Sequence, residues 1–160
     1  MSLAGDRYFE WRHVVSFEDT NLVGNAYFAR YVSWQGSCRE MFLRTVFPGI
    51  LDELRDGLKI FTLTVECEYL NEVTAFDEIA LRLGLERLTQ TQIAFAFDYV
   101  RLGKGGEDLI ARGRQQVACM RVEEGVPVPV RVPGPLRTAL ERLQAAPPGT
   151  VLTPGSSGFR

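Results

Sequence analysis

The segment Asp19-Thr20-Asn21-Leu22-Val23-Gly24-Asn25 gathers an aspartate, two asparagines and a glycine just ahead of an aromatic-rich run that opens at Tyr27. If that run is a helix, its first backbone N–H groups are unpaired and carry a partial positive charge. Such an end can hold an acyl carbonyl oxygen as negative charge develops on it. Asn21, Asn25 or Asp19 would then position water or attack, although the same residue types also serve simply as turns and caps. A second grouping follows. On a helix, Tyr31, Gln35 and Arg39 fall within roughly 80° of one another, a polar stripe on an otherwise apolar element. A buried arginine there needs an acidic or carbonyl partner. A structural ion pair with Glu66 or Glu68 would satisfy it, and simple exposure would remove the need. Glu40 points about 100° away from Arg39, toward surface or interface. Thr62 and Thr64 alternate on one strand face with Glu66 and Glu68, as site hydroxyls or as an ordinary polar face. Ala94 and Ala96, small among large aromatics, leave room for a ligand or pack the sheet tightly.

Other chemistries lack their residues. His13 is the only histidine and has no nearby ligand partner in the sequence. The three cysteines, Cys38, Cys67 and Cys119, are odd in number and widely spaced, so packing rather than a disulfide framework or zinc site is expected. There is no GxSxG, P-loop, GxGxxG or HExxH motif, and no metal or cofactor is expected. A formal net charge of -2 gives no basic excess for nucleic acid. No apolar run approaches the roughly 20 residues that span a membrane, and the N-terminus does not read as a signal peptide. A cytoplasmic protein is expected.

The elements that must position these residues are legible from periodicity. Residues 8–18 read as a strand and 27–45 as one long helix whose wide apolar coverage predicts a central, buried position. Gly36 inside it costs about 1 kcal/mol of propensity, which a close neighbouring backbone would explain. Pro48-Gly49 breaks the pattern, and 50–57 fits a short second helix. Residues 60–70, 77–88 and 92–102 alternate with period two, and 108–122 is strand-like but weakened by Gly113. Residues 126–132, with two prolines, cannot be a central strand. Residues 135–145 fit a terminal helix. The chain of 160 residues reads as one domain over 1–145 and a disordered Pro/Gly/Ser/Thr tail over 146–160. Strand, long helix, then antiparallel strands is an α+β order in which a sheet of about five strands wraps the helix to bury its bare face. That is the hotdog architecture.

The run Phe17-Glu-Asp-Thr-Asn-Leu-Val-Gly24, then Asn25-Ala-Tyr-Phe-Ala-Arg-Tyr31 and Trp34, resembles the 4-hydroxybenzoyl-CoA thioesterase family over roughly residues 8–122. One departure sets the subtype: Asn21 stands where that family carries its catalytic aspartate, and Asp19 matches a different position two residues earlier. Together with Tyr8-Phe-Glu-Trp-Arg-His13 and Trp34-Gln-Gly-Ser-Cys-Arg-Glu-Met-Phe42, the loop is similar to the enediyne polyketide thioesterases.

That resemblance implies a homotetramer, a dimer of hotdog dimers, with sites at subunit interfaces. It implies a linear polyene on the phosphopantetheine of an acyl-carrier protein. Hydrolysis would release a β-keto acid, which loses carbon dioxide to a methyl ketone. The positions matching the family's site are Asn21, Tyr31 and Arg39 as catalytic residues and Thr62 beside them; Gly24, Asn25 and Thr62 would bind substrate. An asparagine is neither nucleophile nor base, so direct attack by water is expected, with Arg39 on the β-oxygen and Tyr31 donating or orienting Arg39. An apolar channel lined by helix and strand aromatics would set chain length. The rivals are a generic acyl-CoA thioesterase and a non-catalytic acyl-binding module.

Overall fold

The computed structural model describes residues 2–156. Strand β1 (Tyr8–Val14) leads through a 3-10 turn at Phe17–Asp19 to helix α1 (Phe28–Val46) and the short α2 (Ile50–Arg55). Strands β2 (Lys59–Tyr69), β3 (Glu78–Leu88), β4 (Gln92–Gly103) and β5 (Gly106–Glu123) follow, then β6 (Val126–Pro129), α3 (Gly134–Ala145) and β7 (Val151–Leu152). Among the described residues they form one seven-stranded sheet in the order β2-β5-β4-β3-β1-β7, with β6 on β5. All pairings are antiparallel except that of β1 with β7. The sheet wraps α1, which packs against β1, β2 and β3, and this is the hotdog fold. The expected count of about five strands misses the short β6 and β7.

Spacing makes α1. Tyr31, Trp34, Gln35, Cys38 and Phe42 recur three or four residues apart and are all buried. Phe42 meets Phe9 and Phe95 edge to face at 5.6 and 5.9 Å, pinning the helix to the sheet. Burying each such ring stabilises by roughly 2–3 kcal/mol. The opposite face, with Val32, Glu40 and Arg44, is exposed, so the helix is one-sided in the protomer rather than buried all round. It ends where Pro48 disfavours the helical region for its predecessor, and Phe47 sits at φ −138°, ψ 78°. The close backbone expected at Gly36 is absent: a Cβ there would meet nothing within 4 Å.

One irregularity decides which side chains meet. β2 and β5 slip register between Thr62 and Thr64: Thr62 opposes Val117, yet Thr64 opposes Gln116 and Val65 opposes Gln115. Leu63 is the extra residue of a bulge, and a one-residue slip exchanges faces. Thr62 therefore shares the α1-facing side with Val65 and Cys67, while Thr64, Glu66 and Glu68 take the other side. The even alternation read from sequence, with both threonines and both glutamates on one face, is corrected by this bulge.

The chain after α3 also departs from expectation. Within the segment read as a tail, Val151 and Leu152 pair with Tyr8 and Phe9, and Tyr8 N–H donates to Thr150 O at 3.1 Å. A two-residue strand is too short to show a period. The remainder of that expected tail, 157–160, lies outside the described residues. No helix among the described residues is long and apolar enough to cross a membrane.

Candidate active site

The loop ahead of α1 is built from backbone. Thr20 bridges Ala26 and Asn25 bridges Thr74. Asn21 N–H donates to Asn25 O at 2.9 Å, and Gly24 N–H to Asn21 O at 3.0 Å. Gly24 sits at φ +90° with open space where a Cβ would be, so the left-handed turn calls for glycine there. Asn21 Oδ1 accepts the Val23 N–H at 3.0 Å, closing an Asx turn. The Asn21 side chain is exposed. The N-cap of α1 is Tyr27, which supplies no side-chain cap; Arg30 N–H donates to Tyr27 O at 2.9 Å, and the N–H groups of Phe28 and Ala29 have no side-chain cap.

Asp19 anchors this loop from behind. Its buried Oδ2 accepts from Ser16 N–H at 2.9 Å and Ser16 Oγ at 3.2 Å, and pairs with His13 Nε2 at 2.8 Å. Burial pushes the Asp19 pKa up, but the hydrogen bonds from Ser16 and His13 outweigh it and hold it below the ordinary carboxylate value. His13, partnerless in the sequence reading, lies between Trp11 and Trp34 at 5.4 and 5.3 Å. These two residues fix the loop and do not present a nucleophile.

Arg39 is held differently. Its Nη1 donates to Thr62 Oγ1 at 3.1 Å and to Gln115 Oε1 at 2.6 Å. Gln115 Nε2 donates to Gln35 Oε1 at 3.4 Å, and Gln35 Nε2 to the Glu66 backbone oxygen at 3.0 Å. Gln35 and Gln115 are 0% and 3% exposed. Gly113 makes this possible: a Cβ there would collide with Gln35 Nε2 and lie 2.8 Å from Glu66 O. The alternative of a structural ion pair of Arg39 with Glu66 or Glu68 is not what the structure shows. Glu66 offers only its backbone oxygen, and Glu68 pairs with Arg112 at 2.7 Å on the outer face that the bulge created. Burial lowers the Arg39 pKa, and Glu40 alone among nearby acids opposes this. Sequence reasoning passed over Gln115. Its one signal is an amide in the inward register of β5, in line with Ala111, Gly113, Val117 and Cys119, all buried.

Tyr31 is buried against Trp34, Tyr69 and Tyr99, with ring centroids 4.9, 4.9 and 5.6 Å away. Burial pushes its pKa up to about 12, so its hydroxyl keeps its proton. The side chains that hold Arg39 are Thr62 and Gln115, so Tyr31 does not orient it within the protomer. Arg39 lies eleven residues past the start of α1, about 16 Å along its axis. The expected site residues thus fall into two groups in one protomer: Asn21, Gly24 and Asn25 in the loop, and Arg39 with Thr62 further along.

Beside Arg39 runs a cleft of about 470 Å³ lined by Met41, Leu43, Ile50, Leu51, Leu54 and Ile60, with Glu40 and Arg44 among its charged residues. Its apolar walls are largely aliphatic, while Phe42, Phe95 and Phe97 are packed in the core and Phe28, Phe61 and Tyr69 are exposed. Ala96 is buried as well, and Ala94 lines a polar groove with Thr64 and Glu66. The three cysteines are unpaired. Burial raises the thiol pKa of all three, that of Cys119 to about 11, which leaves them protonated.

A family model described as the thioesterase-like superfamily matches residues 15–146. Among solved structures, the dynemicin thioesterase is 48% identical to the chain and superposes with a TM-score of 0.82, covering 85% of this chain and 96% of that one. Its crystal structures reveal induced-fit and allosteric effects upon polyene binding. A 1,4-dihydroxy-2-naphthoyl-CoA thioesterase from Synechocystis superposes with a TM-score of 0.75 at 16% identity, covering 86% of this chain and 98% of that one. The 4-hydroxybenzoyl-CoA thioesterase of Pseudomonas sp. strain CBS-3 gives 0.70 at 12%, covering 86% and 99%. At those identities the last two speak to the fold alone. No curated protein matches the chain.

Proposed function

The chain belongs to the thioesterase-like superfamily and is a thioester hydrolase, and we propose that its substrate is a linear β-keto polyene thioester carried on the phosphopantetheine of a polyketide synthase's acyl-carrier protein. The observation that carries this reading is the Arg39 cluster, a guanidinium held by neutral acceptors in the wall of an aliphatic cleft. The cation suits the β-oxygen and the cleft suits the chain, whose size is in the range of small-molecule sites. The 48% identity to the dynemicin thioesterase supports an unsaturated chain and an enediyne pathway as its context.

In this reading water attacks directly, because an asparagine amide is neither base nor nucleophile. Asn21 and the first-turn N–H groups of α1 orient the water and the thioester carbonyl. Arg39 steadies the β-oxygen and then the enolate formed as the β-keto acid loses carbon dioxide to give a methyl ketone. Tyr31, protonated, acts as a donor, and Gly24, Asn25 and Thr62 shape the binding site. Slow turnover follows in this reading, because Asn21 stands where the family carries its catalytic aspartate and an amide cannot act as a general base.

Asn21 and Arg39 do not meet within one protomer, so a second subunit completes the site in a homotetramer built as a dimer of dimers. The bare edge of β2 supports this, with Phe61, Leu63 and Val65 exposed along it. Antiparallel pairing of two such edges about a two-fold axis runs the two α1 helices in opposite directions. The Asn21 loop of one protomer then approaches the partner subunit's Arg39. A cytoplasmic location belongs to the same proposal, and three unpaired cysteines accord with it. Comparing turnover of one 3-oxoacyl group on a carrier protein and on coenzyme A tests the substrate. The proposal requires a carrier preference; equal or faster turnover of the coenzyme A ester makes this a generic acyl-CoA thioesterase.

A further inference from the structure

The hydrogen bonds that hold Arg39 have a direction fixed by chemistry. The Glu66 carbonyl can only accept, so Gln35 must turn Nε2 toward it. Gln35 Oε1 is then left to accept from Gln115 Nε2, and Gln115 Oε1 is left for Arg39. Two amides are thus ordered from a backbone oxygen outward, in a space that exists because residue 113 is glycine. Buried amides are costly unless satisfied, and apolar side chains would fill the same volume more cheaply. What the amides supply is an acceptor without charge. A carboxylate in the place of Gln115 would hold Arg39 more strongly and also neutralise it.

We propose that Gln35 and Gln115 are positioning residues that aim Arg39 at the cleft without forming an ion pair with it, so that, with Glu40 the one acid acting on it through space, the oxygen of a bound acyl ligand is what pairs with it directly. This rests on Arg39 being the cation of the proposed active site. It explains why the helix arginine meets Thr62 and Gln115 while the glutamates of β2 are turned to the opposite face by the bulge at Leu63. It also gives Gly113 a task in the site.

The substitution that separates aim from charge is Gln115→Glu, which keeps shape and an acceptor oxygen. Calorimetric titration with dodecanoate, a simple fatty anion, reads the charge without any turnover. Wild type should bind it, and Gln115→Glu should weaken binding at least tenfold with Tm undiminished. On a carrier-bound 3-oxoacyl thioester, Gln115→Glu should lower kcat at least tenfold with a smaller change in KM, and add nothing to Arg39→Ala. A merely structural role predicts the opposite, since an added ion pair would not harm the fold. If Gln115→Glu does not fold, Gln115→Met, which keeps the volume and removes the acceptor, must lower kcat about tenfold. Wild-type kcat in the folded variant, equal dodecanoate binding, or no binding by wild type overturns the proposal. Charge-sensitive binding without any hydrolysis would leave the relay standing and remove the hydrolytic reading; hydrolysis at equal rates in wild type and Gln115→Glu would do the reverse.

Discussion

Arg39 Nη1, Gln115 and Gln35 are joined by hydrogen bonds to neutral side chains and one backbone oxygen, whereas around Asn21 the pairing is done by backbone and the Asn21 side chain is exposed. The Arg39 cluster draws on α1, β2 and β5 and is complete in one protomer. The Asn21 loop is fixed at its base by Asp19 and His13, and its exposed tip carries Leu22 and Val23 into solvent. A donor meant to meet developing charge gains from being rigid and desolvated. A residue meant to orient water can remain exposed until substrate or a partner subunit covers it.

The sharpest break of this comparison is Arg39→Ala. Loss of one fixed donor of this kind should lower kcat by about 10²- to 10³-fold. Steady-state kinetics on a carrier-bound thioester reads it, and the variant stays folded, with the Gln115 acceptor unpaired at a cost of about 1–3 kcal/mol. A pair of glycines tests the packing side. Gly113→Ala forces the Glu66 backbone and Gln35 apart and should destabilise by about 1–3 kcal/mol, with Tm falling roughly 2–4 °C for each. Gly24→Ala meets open space and should cost only its left-handed strain, about 1 kcal/mol, by the same thermal melt. Asn21→Ala should reduce turnover on the order of tenfold, the worth of one hydrogen bond to a reacting group. The smallest effect is acid-dependent. The Asp19 pKa is lower in the folded chain than its ordinary value of 3.8, so its stabilisation is complete above that value and is lost as the pH falls through the folded value. Thermal melts between about pH 5 and pH 2 should show Asp19→Asn lacking that part of the decline.

Much of the scaffold was legible because period two and period 3.6 survive in the sequence: β3 and β4 begin and end within about one residue of the alternating runs, and α1 follows its aromatic spacing. The hotdog fold was legible from the order of strand, long helix and antiparallel strands, and the family from the resemblance over roughly residues 8–122, with which the family match over residues 15–146 agrees. What failed was local and non-periodic. A single extra residue at Leu63 reverses the side-chain parity of β2, so the alternation in the sequence puts Thr62 on the face of Glu66 and Glu68, which face away from it. Gln115 was missed because an amide on an inward strand position reads as neither core nor charge. The pairing of His13 with Asp19 depends on loop closure, and β7 is too short to leave a pattern.

The central claim is that a neutral-cradled Arg39 serves hydrolysis of a carrier-bound β-keto chain. Mass spectrometry of the products, after the protein is mixed with a carrier-bound β-keto polyene, tests it most directly. The account predicts free β-keto acid or methyl ketone formed faster than without protein, and that gain lost in Arg39→Ala. An intact thioester beside saturable binding would contradict it.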